Sequence, residues 1–196
     1  MEGVRGTVAT AGSPALALRS GVVRRIGVKP RTPGERGLPK PEVDRVELRA
    51  DGLDGDYNLY RQTTRSGDPE MAVLLLPEEV LVELNAEGWP VRPGDLGENF
   101  TTAGIPYDDL RPRTTVELGE AVVETSKPCE PCDNLFALPY VGAEKGPLFL
   151  RAMLHRRGWF ARVVRPGTVR RGSAVRLVAR RDAPPVAPTT GAPSAP

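Results

Sequence analysis

The sequence predicts a mainly β fold, a closed or partly open barrel with a few inserted helices. Three observations lead to this prediction. Short apolar stretches with strand periodicity recur at close spacing along the chain. Only two segments show a convincing helical pattern. The strands are not regularly separated by helices, which disfavours a doubly wound parallel sheet and favours a barrel.

The predicted domain covers residues 20–181 of the 196 and lies between two tails. Residues 1–19 are mostly small, and residues 182–196 are rich in Pro and Ala. Neither tail can bury enough apolar surface to offset its ordering entropy, so we expect both to be disordered. No apolar run resembles a signal peptide or is long enough to span a bilayer, which predicts a cytoplasmic protein with no membrane partner.

The first half of the domain predicts three strands. Residues 21–30 mix Val and Ile with arginines and predict the first strand, and residues 31–40, with several Pro and Gly, predict a loop. Residues 42–50 alternate apolar and charged side chains, as a half-buried strand does, and run into the acidic turn at 51–56. The continuous apolar run at 71–76 predicts a buried strand.

The clearest helix follows this buried strand. Pro77 fits the first helical position, and the two glutamates after it suit the positive end of the helix dipole. Apolar residues within 80–84 form one face, and Gly88 suits the C-terminal cap.

The second half predicts a hairpin, a second helix and two further strands. Residues 115–118 and 121–125 flank a Gly-Glu turn and form a hairpin that ends at the two cysteines. Residues 147–157 predict a helix capped by the glycine that follows. Strands are predicted over 159–164 and 174–178, with two turn signals between them.

Charge and composition do not indicate nucleic acid as a partner. The net charge is only +2, and aromatic residues make up 5% of the chain, too few for a base-stacking surface. One local excess of cations stands out, in which Glu35 is the single acid among Arg24, Arg25, Lys29, Arg31, Arg36 and Lys40. This segment is either a solvated loop or a rim that steers an anionic ligand.

The segment from Lys127 to Cys132 carries both cysteines of the chain. A thiolate here can ligate a soft metal or attack an electrophile. Two cysteines and one histidine are too few for a tetrahedral structural zinc site. Two alternatives stay open, a pair of buried inert cysteines and a thioredoxin-like pair, although Pro131 and the lack of a following helix pattern disfavour the second.

Three further segments carry polar groups. Residues 93–102 present Glu98, Asn99, Thr101 and Thr102 after two glycines, either as a plain polar loop or as ligand contacts. Asp56 lies in an acidic turn that could hold a hard cation, but the turn lacks the distal Glu of an EF-hand loop. The lone histidine, predicted in the middle of the second helix, is more typical of a surface residue than of a catalyst.

Taken in order, four segments resemble the MOSC family, named for the C-terminal domain of molybdenum cofactor sulfurase. They are Gly52–Asp56, Pro93–Thr102, Lys127–Leu135 and Gly158–Ser173. Any one of them is weak evidence, but the second and third together are specific. The chain resembles a stand-alone bacterial member over residues 20–180. It departs from that pattern at Tyr57, where such members often have His, and at its last matching residue, a Ser in place of Asp.

The resemblance implies a fold and a cofactor. The fold would be a β-barrel like that of the small domain of pyruvate kinase, and the domain would bind a molybdopterin-type molybdenum cofactor. Simple members of the family reduce N-hydroxylated small molecules, with a cysteine thiolate as molybdenum ligand. Cys132 is the preferred metal ligand and catalytic residue, because Leu135 follows it as in the family's Pro-Cys-x-x-Leu arrangement, and Cys129 is the second catalytic candidate.

The family's cofactor-contacting residue carries over to Asn99, and we extend the expectation to Glu98, Thr101 and Asp56. Pyridoxal phosphate is not expected on this chain. A reductase would need a separate electron-donor protein, since the sequence shows no flavin, nicotinamide or iron–sulfur motif.

Two other functions remain open. One is a persulfide carrier for the maturation of metal–sulfur clusters or cofactors, with sulfur on Cys132 and Cys129 as the resolving thiol. The other is a non-catalytic binding module.

Overall fold

The computed structural model describes residues 19–35 and 37–180, so the two predicted tails, apart from Arg19, lie outside the described residues. The strands are β1 (Ser20–Gly27), β2 (Glu42–Val43), β3 (Arg45–Arg49), β4 (Gly52–Leu53), β5 (Val73–Pro77), β6 (Phe100–Ala103), β7 (Thr114–Leu118), β8 (Ala121–Pro128), β9 (Trp159–Arg165), β10 (Gly167–Arg170) and β11 (Ala174–Arg180). The α-helices are α1 (Leu59–Thr64), α2 (Glu78–Ala86) and α3 (Gly142–Ala152), with short 3-10 helices at Pro69–Met71, Tyr107–Asp109 and Asp133–Ala137.

Seven strands close into a barrel, which confirms the predicted fold. Their order is β1–β11–β7–β8–β9–β5–β6, and β6 pairs with β1 to complete the circle. Neighbouring strands are antiparallel except β5 and β6, which are parallel because α2 carries the chain from one to the other. Strands β10, β3 and β4 form a separate small sheet, whose apolar side chains join the buried cluster of the barrel.

Strand β5 lies between β9 and β6 in the barrel. All five of its residues are buried, as the continuous apolar run predicted. It begins at Val73 rather than at residue 71, because Pro69–Met71 first forms a 3-10 turn capped by Asp68, whose side chain accepts from the backbone N–H of Glu70 at 2.9 Å.

Helix α2 ends as predicted and begins slightly differently. Gly88 has a φ of +91°, and the Trp89 N–H donates to the Leu84 carbonyl at 2.9 Å, the bond pattern of a glycine-terminated helix. Pro77, by contrast, is extended and serves as the N-cap residue, so the prediction that it takes the first helical position was wrong.

The predicted second helix over 147–157 is displaced. Helix α3 spans Gly142–Ala152, so it begins five residues earlier and contains Pro147 in its interior. It ends before His155, which takes a φ of +63° that a right-handed helix cannot accommodate. His155 is therefore an exposed turn residue and not a mid-helix residue. No helix of the described residues is long and apolar enough to cross a membrane.

Sequence reasoning missed several short elements. The predicted strand over 42–50 is divided into β2 and β3, and the polar segment before Ala103 contains β6. Thr101 and Thr102 on β6 are buried although they are polar, so the alternation expected of a half-buried strand is absent there. Strand β10 and helix α1 were not predicted at all.

Candidate functional site

Both cysteines lie where β8 leaves the barrel. Pro128, the last residue of β8, pairs with Trp159 at the start of β9. The Cys129 N–H then donates to the Gly158 carbonyl at 2.8 Å. Because prolines precede both cysteines and fix their own φ angles, the segment leaves the strand in a restricted conformation.

Cys129 lies in an apolar environment. It is 6% exposed and belongs to a small buried cluster with Met71, Leu74 and Phe160. Burial raises the pKa of its thiol to about 11, an effect that the Arg157 cation opposes in part. Cys129 is therefore a neutral thiol at neutral pH and a weak nucleophile.

Cys132 has a different environment. Its side chain is half-buried, and its Sγ accepts a hydrogen bond from Nη1 of Arg157 at 3.2 Å. The same nitrogen donates to the Glu130 carbonyl at 2.9 Å. Arg157 is itself buried, and its Nε has no partner among the described residues. The segment thus presents one partly accessible sulfur beside a buried cation.

Tyr107 and Trp159 stabilise the rim beside the cysteines. The Tyr107 hydroxyl donates to the Gly158 carbonyl at 3.3 Å, and its ring centroid lies 6.2 Å from that of Trp159. Burial raises the pKa of Tyr107 to about 12, so the hydroxyl remains a donor at neutral pH. The Gly158 carbonyl therefore accepts from both Tyr107 and Cys129.

Asp56 and Asn99 form a buried polar network. Asp56 accepts from the Lys29 N–H at 2.9 Å, from Lys40 Nζ at 2.6 Å and from Asn99 Nδ2 at 2.9 Å. Asn99 Oδ1 accepts from the Leu74 N–H at 3.0 Å. Burial lowers the pKa of Lys40, and the Asp56 carboxylate opposes that shift. The network joins the loop at 29–40 to β5, and Leu74 in turn packs beside Cys129.

The other two predicted cofactor-binding residues face the interior. Glu98 is fully buried, accepting from the Thr101 hydroxyl at 2.9 Å and from the Gly94 N–H. Thr101 is 1% exposed. The structure thus buries Glu98, Asn99, Thr101 and Asp56 as an internal support of hydrogen-bonded polar groups. Direct contact of these side chains with a cofactor stays a prediction.

The acidic turn and the histidine add no metal site. No three His, Cys, Asp or Glu side chains converge within residues 19–35 and 37–180. Asp54 pairs with Arg49 at 3.0 Å on the surface, while Asp56 is committed to Lys40. The hard-cation alternative therefore has no ligand set in this turn.

The predicted cation-rich rim is largely neutralised. Four of its cations have carboxylate partners, in the pairs Arg24–Glu78, Arg25–Glu42, Lys29–Glu35 and Lys40–Asp56. Arg31 instead lies over the ring of Tyr57, 5.4 Å from its centroid. Arg36 lies outside the described residues. This pattern argues against an anion-steering rim, and the low exposure of the Arg25, Lys29 and Lys40 side chains shows that the segment is not simply a solvated loop either.

Comparison with known proteins gives the same fold and identifies the family. The family model of the MOSC domain matches residues 62–176.

The chain belongs to the MOSC domain family.

This family is associated with molybdenum cofactor binding. The MOSC domain described above is 28% identical to the uncharacterized protein YflK of Bacillus subtilis over 153 residues, 74% of this chain and 65% of YflK. The chain therefore spans a little under two thirds of that relative.

Solved structures share the barrel. YuaD from Bacillus subtilis superposes with a TM-score of 0.68 at 16% identity, covering 84% of this chain and 98% of YuaD. YiiM from Geobacillus stearothermophilus superposes with a TM-score of 0.61 at 25% identity, covering 81% of this chain and 75% of YiiM. YiiM from Escherichia coli gives 0.57 at 23% identity, covering 83% of this chain and 71% of that protein.

The residues around Cys132 fit a molybdenum cofactor. A partly exposed sulfur is a soft ligand, and the buried Nε of Arg157 is an unsatisfied donor next to it. Sequence reasoning did not single out Arg157, Tyr107 or Trp159. The available signal was the position of Arg157 directly before the Gly158 motif, but no pattern shows that its guanidinium turns toward Cys132.

Proposed function

We propose that this MOSC domain binds a molybdopterin-type molybdenum cofactor through the Cys132 sulfur and reduces N-hydroxylated small molecules. One observation carries the proposal. Of the two cysteines, Cys132 is partly exposed and its Sγ contacts a cation, whereas Cys129 is buried as a neutral thiol. A single protein thiolate can complete a coordination sphere to which a pterin dithiolene already supplies sulfur.

The residues of the chain then have distinct roles. Cys132 would hold the metal, and Arg157 would hold the Cys132 sulfur. The cofactor, when bound, supplies the redox chemistry, and the protein sets its access and orientation. Cys129, Met71 and Phe160 exclude water from the adjacent face of β5. The proposal also requires a separate protein that donates electrons to the cofactor.

Molybdenum content tests the proposal directly. The wild type, Cys132→Ala and the matched control Cys129→Ala are produced in a host that makes the cofactor, and molybdenum per chain is measured. We expect near-stoichiometric metal in the wild type and in Cys129→Ala, and loss of metal in Cys132→Ala. Reduction of an amidoxime with reduced viologen as electron source is then expected to follow the metal content.

Two results for the molybdenum content would contradict the proposal. If the wild type carries no molybdenum while other molybdenum proteins of the same cells are loaded, Cys132 is not a molybdenum ligand. Equal metal in the wild type and Cys132→Ala contradicts the assignment of the ligand even if the protein is active.

A persulfide carrier is the second candidate, because a second thiol lies three residues away on the same segment. In that case the Cys129 thiolate attacks the inner sulfur of the Cys132 persulfide, which forms a Cys129–Cys132 disulfide and releases sulfide, so Cys129→Ala abolishes sulfide release in the absence of an external thiol. The burial and raised pKa of Cys129 argue against it as a resolving thiol. If neither metal nor persulfide is found on Cys132, the domain is a binding module without its own chemistry.

A further inference from the structure

Two adjacent arginines, Arg156 and Arg157, have opposite environments. Arg156 makes a two-pronged ion pair with Glu87, with N–O distances of 2.6 and 2.7 Å, at the surface. Arg157 is 7% exposed and forms no ion pair with a carboxylate among the described residues. Its Nη1 contacts the Cys132 sulfur and the Glu130 carbonyl instead.

A buried guanidinium without a carboxylate is costly, because it loses hydration without gaining a counter-charge. Arg157 donates to two acceptors, the Glu130 carbonyl, 2.9 Å from Nη1, and the Cys132 sulfur, 3.2 Å from the same nitrogen. The position of Arg157 is therefore explained by the sulfur and not by a structural ion pair.

We infer that Arg157 positions the Cys132 sulfur and selects negatively charged groups as the ligands or substrates that reach it. One nitrogen holds Sγ and the Glu130 carbonyl together, so the side-chain orientation of Cys132 is coupled to the path of the loop. The inference rests on the proposed function, in which Cys132 is the reacting sulfur. It adds that the ligand or substrate that reaches this sulfur is negatively charged.

Two carboxylates on the same loop repel negatively charged groups and so oppose the effect of Arg157. Glu130 and Asp133 flank Cys132, and both are exposed. Exposed charges are screened by water and salt, whereas a buried charge in contact with the sulfur is screened much less. The nearby Lys127 is paired with Asp68 at 3.1 Å. The field at Sγ is therefore set mainly by Arg157.

Alkylation of Cys132 by two reagents tests the inference. Iodoacetate is an anion and iodoacetamide is neutral, and both react with the same ionised sulfur, so the ratio of their rates cancels the ionised fraction and reports the local charge. The full-length protein is purified from a host that lacks the cofactor, so that the sulfur is free. Modification of each cysteine is quantified by peptide mass spectrometry.

We expect the iodoacetate-to-iodoacetamide ratio at Cys132 to exceed that of N-acetylcysteine amide by about fivefold, the size expected of one contact between opposite unit charges in water. Arg157→Met is expected to bring the ratio down to that of the reference thiol. Arg157→Lys keeps a cation and is expected to stay within about twofold of the wild type. The matched control Arg156→Met, which removes a neighbouring guanidinium paired with Glu87, is expected to leave the ratio unchanged.

Several outcomes overturn the inference. If the iodoacetate-to-iodoacetamide ratio of the wild type equals that of the reference thiol, the inference is wrong. This result needs no variant, so it holds even if Arg157→Met fails to fold. The inference is also wrong if Arg157→Met melts cooperatively, which shows that it is folded, and its ratio equals that of the wild type. The readout needs no metal, so absence of molybdenum with a raised ratio defeats only the proposed function. Bound molybdenum with an ordinary ratio defeats only the inference.

Discussion

At the scale of single residues, three positions along the backbone separate an inert thiol from an accessible one. Cys129 and Cys132 both follow a proline, and their sequence contexts are nearly the same. The difference arises from residues distant in sequence: Met71 and Phe160 cover Cys129, while Arg157 reaches Cys132. The local sequence could not predict this contrast, because it depends on contacts with residues that are distant along the chain.

The buried Cys129 thiol predicts a pH dependence of stability. Its folded-state pKa of about 11 lies above the ordinary value of 9.0, so the unfolded chain loses this proton first as the pH rises. Stability is fully present below pH 9 and falls between pH 9 and about 11. Between pH 8 and 10.5 we expect the wild type to lose about 2 kcal/mol more unfolding free energy in urea than Cys129→Ala. Equal losses in the two proteins contradict the assignment.

Asp56 gives a second prediction at this scale. Its carboxylate and Lys40 Nζ are 2.6 Å apart with side-chain exposures of 8% and 5%. Asp56→Ala leaves a buried ammonium without its counter-charge, which typically costs about 3–5 kcal/mol. Urea unfolding measures this loss. The control is Asp54→Ala, whose exposed pair with Arg49 typically contributes less than about 1 kcal/mol. Similar small losses for both variants mean that the network does not hold the loop at 29–40.

The sequence predicted the important residue types but not the direction in which their side chains point. Glu98, Asn99 and Thr101 are expected to contact a cofactor, which stays a prediction, and the structure shows that all three side chains are buried. Their burial depends on how β5 and β6 pair, with Leu75 opposite Phe100, and such long-range register is absent from local pattern.

At the scale of elements, the start of β9 depends on a glycine. Gly158 has a φ of +105°, and a Cβ placed on it would lie 2.5 Å from the Leu75 carbonyl oxygen of β5. A side chain here forces β9 away from β5 and displaces the carbonyl that accepts from Cys129 and Tyr107. The glycine therefore couples barrel packing to the position of the cysteine segment.

We expect Gly158→Ala to destabilise the protein by more than about 3 kcal/mol, because backbone strain and a backbone clash add together. Thermal unfolding is the measurement. Gly172→Ala is the matched control: its φ is +85°, but nothing lies within 4 Å of its added Cβ, so only the strain of about 1–2 kcal/mol remains. If the two substitutions have equal effects, the close approach to β5 is not what requires glycine.

Elements with strong local signals were predicted well, and others were not. The hairpin of β7 and β8 follows from alternation around a Gly-Glu turn, and the C-terminal end of α2 follows from Gly88. Strand β10 is only four residues long and depends on its pairing with β3, so the local sequence pattern predicts a turn there. Helix α3 differs from the predicted range because Pro147, a residue that favours the first turn of a helix, lies in its interior, where Phe136 packs against Gly146.

At the scale of the whole molecule, composition and spacing were sufficient to predict a barrel but not its strand order. Many short strands with few helices indicate closure, since a barrel leaves no open edge. The parallel neighbours β5 and β6 and the pairing of β1 with β11 depend on contacts between distant segments. The family resemblance added the fold type, which the matching family model and the solved structures confirm.

Strand β11, the last strand described along the chain, lies between β1 and β7 in the barrel. Ser20 pairs with Arg176, so β1 keeps an open edge throughout synthesis until β11 has been made. Before β11 is made, the nascent chain holds six of the seven barrel strands, and the edges of β1 and β7 that pair with β11 are both open. An unpaired strand edge can pair with another chain. Yield during production should thus depend on how quickly the final segment follows and on protection of the unfinished chain, more than on the stability of the finished protein.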